Sequence, residues 1–286
     1  MENSGFIKQH PVLCYYVLAF AISWGAVLAV TGLHGIPGNP ANLMKMLPAL
    51  LLAMLAGPVV AAISVTGLAG GRAGYRDYFA RLAKWRTRIG WYAAAFMAAP
   101  AVFTAIPLVM AIGYPGFVPH IFTEHNKASL LLVGLAVGVV GGIFEETGWT
   151  GFVIPRLRVR FDTLTTGVIV GFLWAAWHLL INVWSCGTAS GALSIPNLVG
   201  TLIFSYGILP PFRVLMVFIW DRTGSVPATM LMHMTLIASN IILAPTAVPG
   251  LMGIVYNLSL TIALWIVVAM CAAASRERRP APAVHA

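Results

Sequence analysis

The chain has 286 residues, of which 17 are Lys or Arg and 8 are Asp or Glu, so charged residues make up only 9%. Hydrophobic residues make up 59%, and the mean hydropathy is +0.88. Because roughly a quarter of the residues in a soluble domain are charged, this composition excludes a water-soluble globular protein. It predicts an all-α, polytopic membrane protein that is solvated by lipid.

The net charge of +9 does not indicate a nucleic-acid partner. The basic residues stand in short clusters beside apolar segments, as the anchors of transmembrane helices do. The expected partner is therefore the lipid bilayer, with no nucleic acid. The three cysteines, Cys14, Cys186 and Cys271, have neither a metal-binding nor a disulfide spacing.

Eight apolar segments are long enough to cross about 30 Å of hydrocarbon, which takes roughly 20 helical residues. They cover residues 11–33, 46–70, 90–114, 128–154, 165–185, 197–220, 227–246 and 251–274. Prolines inside them are compatible with bundled transmembrane helices, where neighbours satisfy the freed backbone groups. The sequence therefore predicts one integral membrane domain over residues 1–286, built as a bundle of about eight transmembrane helices.

The distribution of Lys and Arg predicts the orientation of this bundle. When eight spans are threaded with both ends on one side, 14 basic residues fall on that side and only Lys45 and Lys127 on the other. Arg213 is left near the inner end of the sixth span. By the positive-inside rule, we expect a multi-pass protein with both termini in the cytoplasm.

Residues 71–89 predict an amphipathic helix that lies in the cytoplasmic membrane interface. The aromatic and aliphatic residues recur there at helical spacing, and the basic residues lie mostly on other faces. We expect this helix to anchor the protein to anionic headgroups. Docking of a substrate is the alternative.

Two carboxylates lie inside a predicted span, while the other six acidic residues fall in loops or at the ends. Glu145 and Glu146 are adjacent and lie well inside the fourth span. An ionised carboxylate at such a depth costs at least about 2.5 kcal/mol, so a membrane protein keeps it only with partners or in a water-filled cavity. This pair therefore predicts a functional site.

Two of the seven histidines also lie inside spans, His178 in the fifth and His233 in the seventh. Counted from the cytoplasmic ends, their depths are similar to those of Glu145 and Glu146, so the four side chains can meet. Asn240 follows His233 by seven residues and lies on nearly the same face of its helix.

These side chains are the groups that peptide hydrolysis needs. A carboxylate takes a proton from water, imidazoles hold the water and polarise a carbonyl, and an amide stabilises the oxyanion. Structural interpretations stay open, because buried Glu and His also form interhelical hydrogen bonds. We expect the glycines around the glutamates to permit close helix packing, and three tryptophans to pack or to form an interfacial belt: Trp174, Trp177 and Trp184.

At these residues the sequence resembles the CAAX-protease and bacteriocin-processing family of intramembrane proteases, the CPBP or ABI family. The first family motif is EExxxR, the second is an aromatic residue four positions before a histidine, and the third is a histidine with a nearby asparagine. They correspond to residues 145–150, to Trp174 with His178, and to His233 with Asn240.

The resemblance implies a core at residues 128–246 and an intramembrane endopeptidase of a bacterial inner or plasma membrane. Its substrate would be a membrane-associated or lipidated peptide or protein, cleaved near the cytoplasmic face. Glu145 would act as general base with His178 on the nucleophilic water, and Glu146 would orient the site. His233, together with Asn240, would stabilise the oxyanion.

Two positions depart from the family motifs. Thr150 stands where the family usually has Arg, and a threonine can hydrogen-bond to Glu146 but cannot neutralise it. Ile237 stands where the family usually has Asn, four residues after the third-motif histidine, while Asn240 lies about a turn further along. Arg156 is the basic residue that we consider for reaching back toward Glu146.

Three alternatives stay open. Glu145, His178 and His233 can hold a zinc ion that activates water, although no HExxH spacing is present and we favour a metal-free mechanism without a cofactor. A proton-coupled transporter can use the same groups as a relay. A catalytically weakened scaffold or immunity protein would explain Thr150 and Ile237. The sequence specifies neither the substrate nor the oligomeric state.

Overall fold

The structure is a computed structural model that describes residues 3–246, 248 and 250–277. These residues form helices joined by short turns, and a single isolated bridge between Gly187 and Leu193 is the only strand-like pairing among them. The prediction of an all-α fold is confirmed. Arg278 and Arg279, two of the basic residues behind the predicted orientation, lie outside the described residues.

Thirteen α-helices follow one another along the described chain. They are α1 (Asn3–Gln9), α2 (Pro11–Thr31), α3 (Pro40–Leu82), α4 (Ile89–Gly113), α5 (His120–Thr123), α6 (Lys127–Gly148), α7 (Ile154–Leu157), α8 (Thr163–Trp177), α9 (Leu179–Ser185), α10 (Ile195–Ile203), α11 (Leu209–Thr223), α12 (Val226–Leu243) and α13 (Leu251–Glu277). A π-helical turn joins α6 to α7 (Trp149–Val153), and another joins α10 to α11 (Phe204–Ile208).

The predicted bundle of eight membrane spans is confirmed, with one of the spans broken. Within the described residues, seven helical stretches are long and apolar enough to cross a membrane, and α8 with α9 makes an eighth, bent by 41°. The bend lies at His178, whose Nδ1 bonds to the carbonyl oxygen of Trp174 at 2.9 Å. The backbone amide of His178 is 3.3 Å from the same oxygen. A side chain that competes for this carbonyl weakens the helix ladder there.

Glycines bring the site-bearing helices close together, and Gly142 is one that the sequence predicted for this role. On α6, a Cβ at Gly138 or Gly142 would lie under 3.0 Å from main-chain oxygens of α12. On α8, a Cβ at Gly167 or Gly171 would clash in the same way with the main chain of α11. Close approach therefore sets α6 against α12 and α8 against α11, and it requires these glycines.

The predicted interfacial helix at residues 71–89 is wrong in its boundaries. The helix begins at a kink within α3, where Gly71 has φ 55°, and it ends at Leu82. A positive φ favours glycine, which explains the position of the kink. Trp85 and Ile89 lie beyond the helix and are exposed, whereas Tyr78 is buried. The segment contacts the rest of the protein, since the Tyr78 hydroxyl donates to the carbonyl of Thr147 at 3.1 Å.

Prolines account for both π-helical turns. Pro155 has no N–H for the carbonyl of Gly151, and the Arg81 Nε donates to that oxygen instead at 3.3 Å. Pro210 and Pro211 follow the second turn and likewise remove two donors from the helix ladder. Such turns are frequent at functional sites, and these two lie in the helices that carry Glu145, Glu146 and Arg213.

Candidate active site

Glu145 and Glu146 lie side by side near the end of α6, and both are buried. Successive residues of a helix point about 100° apart, so the two carboxylates reach different neighbours. Glu145 faces α8, and Glu146 faces α11 and α12. The adjacent glutamates therefore sit in two different chemical environments.

Glu146 is held by three side chains and is fully buried. Its Oε2 accepts a hydrogen bond from the Thr150 hydroxyl and another from Arg213 Nη1 at 2.8 Å. Its Oε1 is 2.7 Å from His233 Nδ1. A buried carboxylate needs a partner of opposite charge and saturated hydrogen bonds, and these neighbours supply both.

Arg213 is the cation of the cluster, and sequence reasoning left it near the end of a span without a role. Its side chain is fully buried, and its guanidinium lies 4.2 Å from the ring centre of Trp174. The signal was a basic residue inside an apolar segment, the one Lys or Arg that did not sort to either side. Arg156 turns away from the cluster, because its Nη1 donates to the carbonyl of Phe152 at 2.7 Å.

Glu145 is held by neutral donors. Its Oε2 accepts hydrogen bonds from the indole N–H of Trp174 at 2.6 Å and of Trp149 at 3.2 Å. Trp174 is thus buried in the site and holds a carboxylate; a position in an interfacial belt, one of the two sequence interpretations for it, is wrong. None of the hydrogen bonds that the described residues make to Glu145 comes from a cation.

His233 bridges the two glutamates. Its Nδ1 bonds to Glu146, and because an ionised carboxylate only accepts hydrogen bonds, Nδ1 carries a hydrogen. Its Nε2 is buried, has no hydrogen-bond partner in the described part of the chain, and lies 3.9 Å from Glu145 Oε1. A water molecule at ordinary distance from both atoms bridges a gap of this size.

His178 lies at the edge of the cluster, at the break between α8 and α9. Its Nδ1 is occupied by the Trp174 carbonyl, and its ring packs edge-on against Trp177 with centres 4.7 Å apart. Its ring centre is 6.0 Å from that of Trp174, whose indole N–H bonds to Glu145. His178 is therefore near the cluster without a direct hydrogen bond to either glutamate.

Asn240 is not brought to the glutamates. It lines a separate cavity together with Asn182, one helical turn beyond His178. Seven residues separate it from His233, which is roughly 10 Å along a helix, so a shared face does not give a shared depth. Ile237, at the position of the family asparagine, packs against Gly141.

The zinc alternative requires Glu145, His178 and His233 to meet at one point. Among the residues that the structure describes, no three His, Cys, Asp or Glu side chains converge on one point where a metal ion could be held. We derive no reaction step through a metal.

Two carboxylates outside the membrane spans, Asp162 and Glu124, accept hydrogen bonds from nearby backbone amides. Asp162 precedes α8 and accepts a hydrogen bond from the Thr165 amide at 2.7 Å, which lowers the pKa of its carboxyl. The Asn126 amide likewise lowers the pKa of the partly exposed Glu124. Both groups cap backbone turns, and neither takes part in the cluster.

A comparison with protein families agrees with the sequence resemblance. Residues 127–242 match the family described as Rce1-like, Type II CAAX prenyl endopeptidase Rce1-like. This region runs from the start of α6 almost to the end of α12 and includes every residue of the Glu/His cluster. No curated protein matches the chain. The chain therefore carries a domain of the Rce1-like type II CAAX prenyl endopeptidase (CPBP) family, in a multi-pass membrane protein.

Proposed function

We propose that the chain is an intramembrane endopeptidase that hydrolyses a peptide bond of a membrane-associated or lipidated peptide or protein. One observation carries the proposal: a cation balances Glu146, while Glu145 has only neutral donors and faces a free nitrogen of His233. A carboxylate whose charge is not balanced by a cation is the one available to take a proton. Membership in a family of endopeptidases supports the same reaction class.

The proposed reaction begins with a water molecule held between Glu145 and the two histidines. Glu145 takes a proton from this water as its oxygen attacks the scissile carbonyl carbon. The carbonyl oxygen becomes an oxyanion that faces His233. The Nδ1–H of His233 is fixed by Glu146, and its Nε2 receives the water proton from Glu145, so that the resulting Nε2–H donates to the oxyanion. The intermediate then collapses, the C–N bond breaks, and His233 returns the proton to the leaving amine.

The depth of the cluster sets the depth of the bond that it cleaves. Glu146 is 11 residues from the end of α7 at Leu157, which corresponds to roughly 15 Å along a helix. This is about half the thickness of the hydrocarbon core. We therefore propose that cleavage occurs between the cytoplasmic face and the midplane, with both termini of the chain in the cytoplasm.

The test is cleavage of a membrane peptide by the purified protein in liposomes, with products identified by mass spectrometry. We expect Glu145→Gln to reduce the rate at least about 100-fold, because a general base contributes that much or more. Glu124→Gln is the matched control, since Glu124 lies outside the membrane spans and we expect no change. Cleavage by Glu145→Gln at the unaltered rate contradicts the proposal. Proton-dependent solute flux without any cleavage favours the transporter alternative.

A further inference from the structure

A polar cavity of about 500 Å³ lies beside the Glu/His cluster, on the side away from the cytoplasmic helix ends. It is formed by α9, α10, α12 and α13, and its polar lining residues include Asn182, Asn197, Asn240, Tyr256 and Asn257. Asn182 stands one helical turn after His178, and Asn240 two turns after His233. Asn182 and Asn240 therefore connect the cavity, through α9 and α12, to the helices that carry the two histidines.

Several hydrogen-bonding groups in this cavity are free. Asn182 donates to the Ser205 hydroxyl at 2.9 Å, and Asn257 donates to the Gly200 carbonyl at 3.0 Å, which leaves both amide oxygens as acceptors. A polar group without a partner carries a desolvation cost when a ligand buries it, so a ligand that pairs with these amide oxygens avoids that cost.

The chemistry of the lining is neutral throughout. The residues that line the cavity include four asparagines and no Lys, Arg, Asp, Glu or His. An amide both donates and accepts, as a peptide group does. The lining suits a peptide main chain and offers no counter-charge for a phosphate or a charged side chain.

The opposite side of the cluster is closed by aromatic rings. Tyr15 stacks on Phe152 with ring centres 5.1 Å apart, and Tyr16 stacks on Trp149 at 5.6 Å. All four rings are buried in the core. A substrate that reaches Glu145 in this conformation has more room on the side of the polar cavity than on the side of these rings.

We propose that this cavity binds an extended, uncharged segment of the peptide substrate next to the scissile bond, a proposal that rests on the endopeptidase function. An extended peptide in hydrocarbon leaves N–H and C=O groups unsatisfied, at several kcal/mol for each group. The asparagine amides supply the missing partners. Asn240 then binds substrate main chain instead of an oxyanion.

The test measures peptide binding without cleavage. In the Glu145→Gln background, a fluorescently labelled, uncharged hydrophobic peptide is titrated with protein in nanodiscs, and its anisotropy gives the Kd. We expect Asn240→Leu combined with Asn257→Leu to raise Kd about thirtyfold, since a hydrogen bond contributes roughly 1 kcal/mol and two are lost. Ser259→Leu is the control on the same helix, outside the cavity lining, and leaves Kd unchanged.

A second peptide with one central Lys should bind at least tenfold more weakly, because the lining holds no acid. Equal affinity for both peptides, or an unchanged Kd in the double variant with an unchanged unfolding temperature, overturns the assignment. Because binding is measured in an inactivated protein, failure of the proposed catalysis does not by itself alter these outcomes. In the active protein, the double variant should raise KM and leave kcat within about threefold, whereas an oxyanion role for Asn240 predicts a fall in kcat of about 100-fold.

Discussion

Glu145 and Glu146 have the same side chain, adjacent positions and almost the same burial, yet their surroundings differ. Glu146 touches a guanidinium, a hydroxyl and an imidazole. Glu145 touches two indole N–H groups and faces the free nitrogen of His233. The comparison shows that the neighbouring helices, and not the residue type, divide the two carboxylates into one that is balanced by a cation and one that is not.

The cation beside Glu146 comes from a position outside the family motif. Thr150 stands where the family motif has Arg, and Arg213, from another helix, binds Glu146 through the same oxygen as Thr150. The positive charge of the motif is thus present in space although it is absent from the motif sequence. This observation argues against a weakened site as the consequence of Thr150.

The largest effect that we expect is on stability, from Arg213→Met. The variant leaves Glu146 buried without its cation, and breaking a buried ion pair on one side costs about 3–5 kcal/mol. Chemical denaturation in detergent, followed by circular dichroism, measures the change. Arg160→Met removes an exposed arginine and serves as the control, with no expected change. A loss below 1 kcal/mol in Arg213→Met would show that Glu146 does not depend on this cation.

A second prediction asks whether an arginine at position 150 can replace Arg213 as the cation beside Glu146. In Thr150→Arg with Arg213→Met, an arginine at the motif position can replace the lost charge. We expect the double variant to recover about 1–2 kcal/mol of the stability lost in Arg213→Met, which is the size of coupling between residues that share a partner. The same denaturation experiment measures it. If Thr150→Arg is equally destabilising with and without Arg213, the two positions do not exchange roles.

The third prediction concerns the neutral hydrogen-bond donors of Glu145, the indole N–H groups. Trp174→Phe keeps an aromatic ring, although a smaller one, and removes the N–H that bonds to Glu145, so we expect kcat to fall about tenfold and stability to fall by about 1 kcal/mol more than in the control. Trp177→Phe is a matched control, because the Trp177 indole N–H is buried without a hydrogen-bond partner among the described residues. Cleavage kinetics and denaturation of both variants give the two numbers. Equal effects of the two substitutions would contradict the role of the Trp174 N–H.

Much of the fold could be predicted from the sequence. Charged residues are sparse in an apolar chain, so they either mark the ends of the membrane spans or stand out inside them. The eight spans and the pair of buried glutamates followed directly from hydropathy. The break at His178 and the π-helical turns did not, since they depend on side-chain and proline effects at single carbonyls. The similar depths of His233 and Glu146 in their spans predicted that the two side chains meet. They did not predict that Asn240 lies elsewhere, because a shared helix face does not fix the distance along the axis.

The partners of the glutamates were harder to predict. Arg213 is 67 positions from Glu146 in the chain, and the tertiary packing of the helices brings α11 to α6. Trp174 was visible as a motif residue, but a tryptophan in a membrane span packs in lipid or in protein far more often than it binds a carboxylate. Pairwise contacts between distant helices carry no local pattern, so the sequence could not assign them.

The smallest effect concerns a carboxylate outside the membrane, which serves as a reference for the buried pair. Asp162 caps α8, and the lowered pKa means that its stabilisation is present above the unfolded value of about 3.9 and is lost as the pH falls through the folded value. We expect Asp162→Ala to cost less than about 1 kcal/mol at pH 7 because the group is exposed. Denaturation at pH 7 and near pH 3 should show a smaller difference at the lower pH. A difference that grows on acidification would contradict this assignment.

The most direct test of the account compares Glu145→Gln with Glu146→Gln in one preparation, by cleavage rate per folded molecule. We predict that Glu145→Gln folds with nearly unaltered stability, because the amide oxygen still accepts from both indoles, and yet loses at least about 100-fold in rate. Glu146→Gln should lose several kcal/mol of stability, because Arg213 stays buried without its anion. A stable Glu145→Gln protein that cleaves at the rate of the unmodified chain would contradict the central claim that Glu145 is the general base.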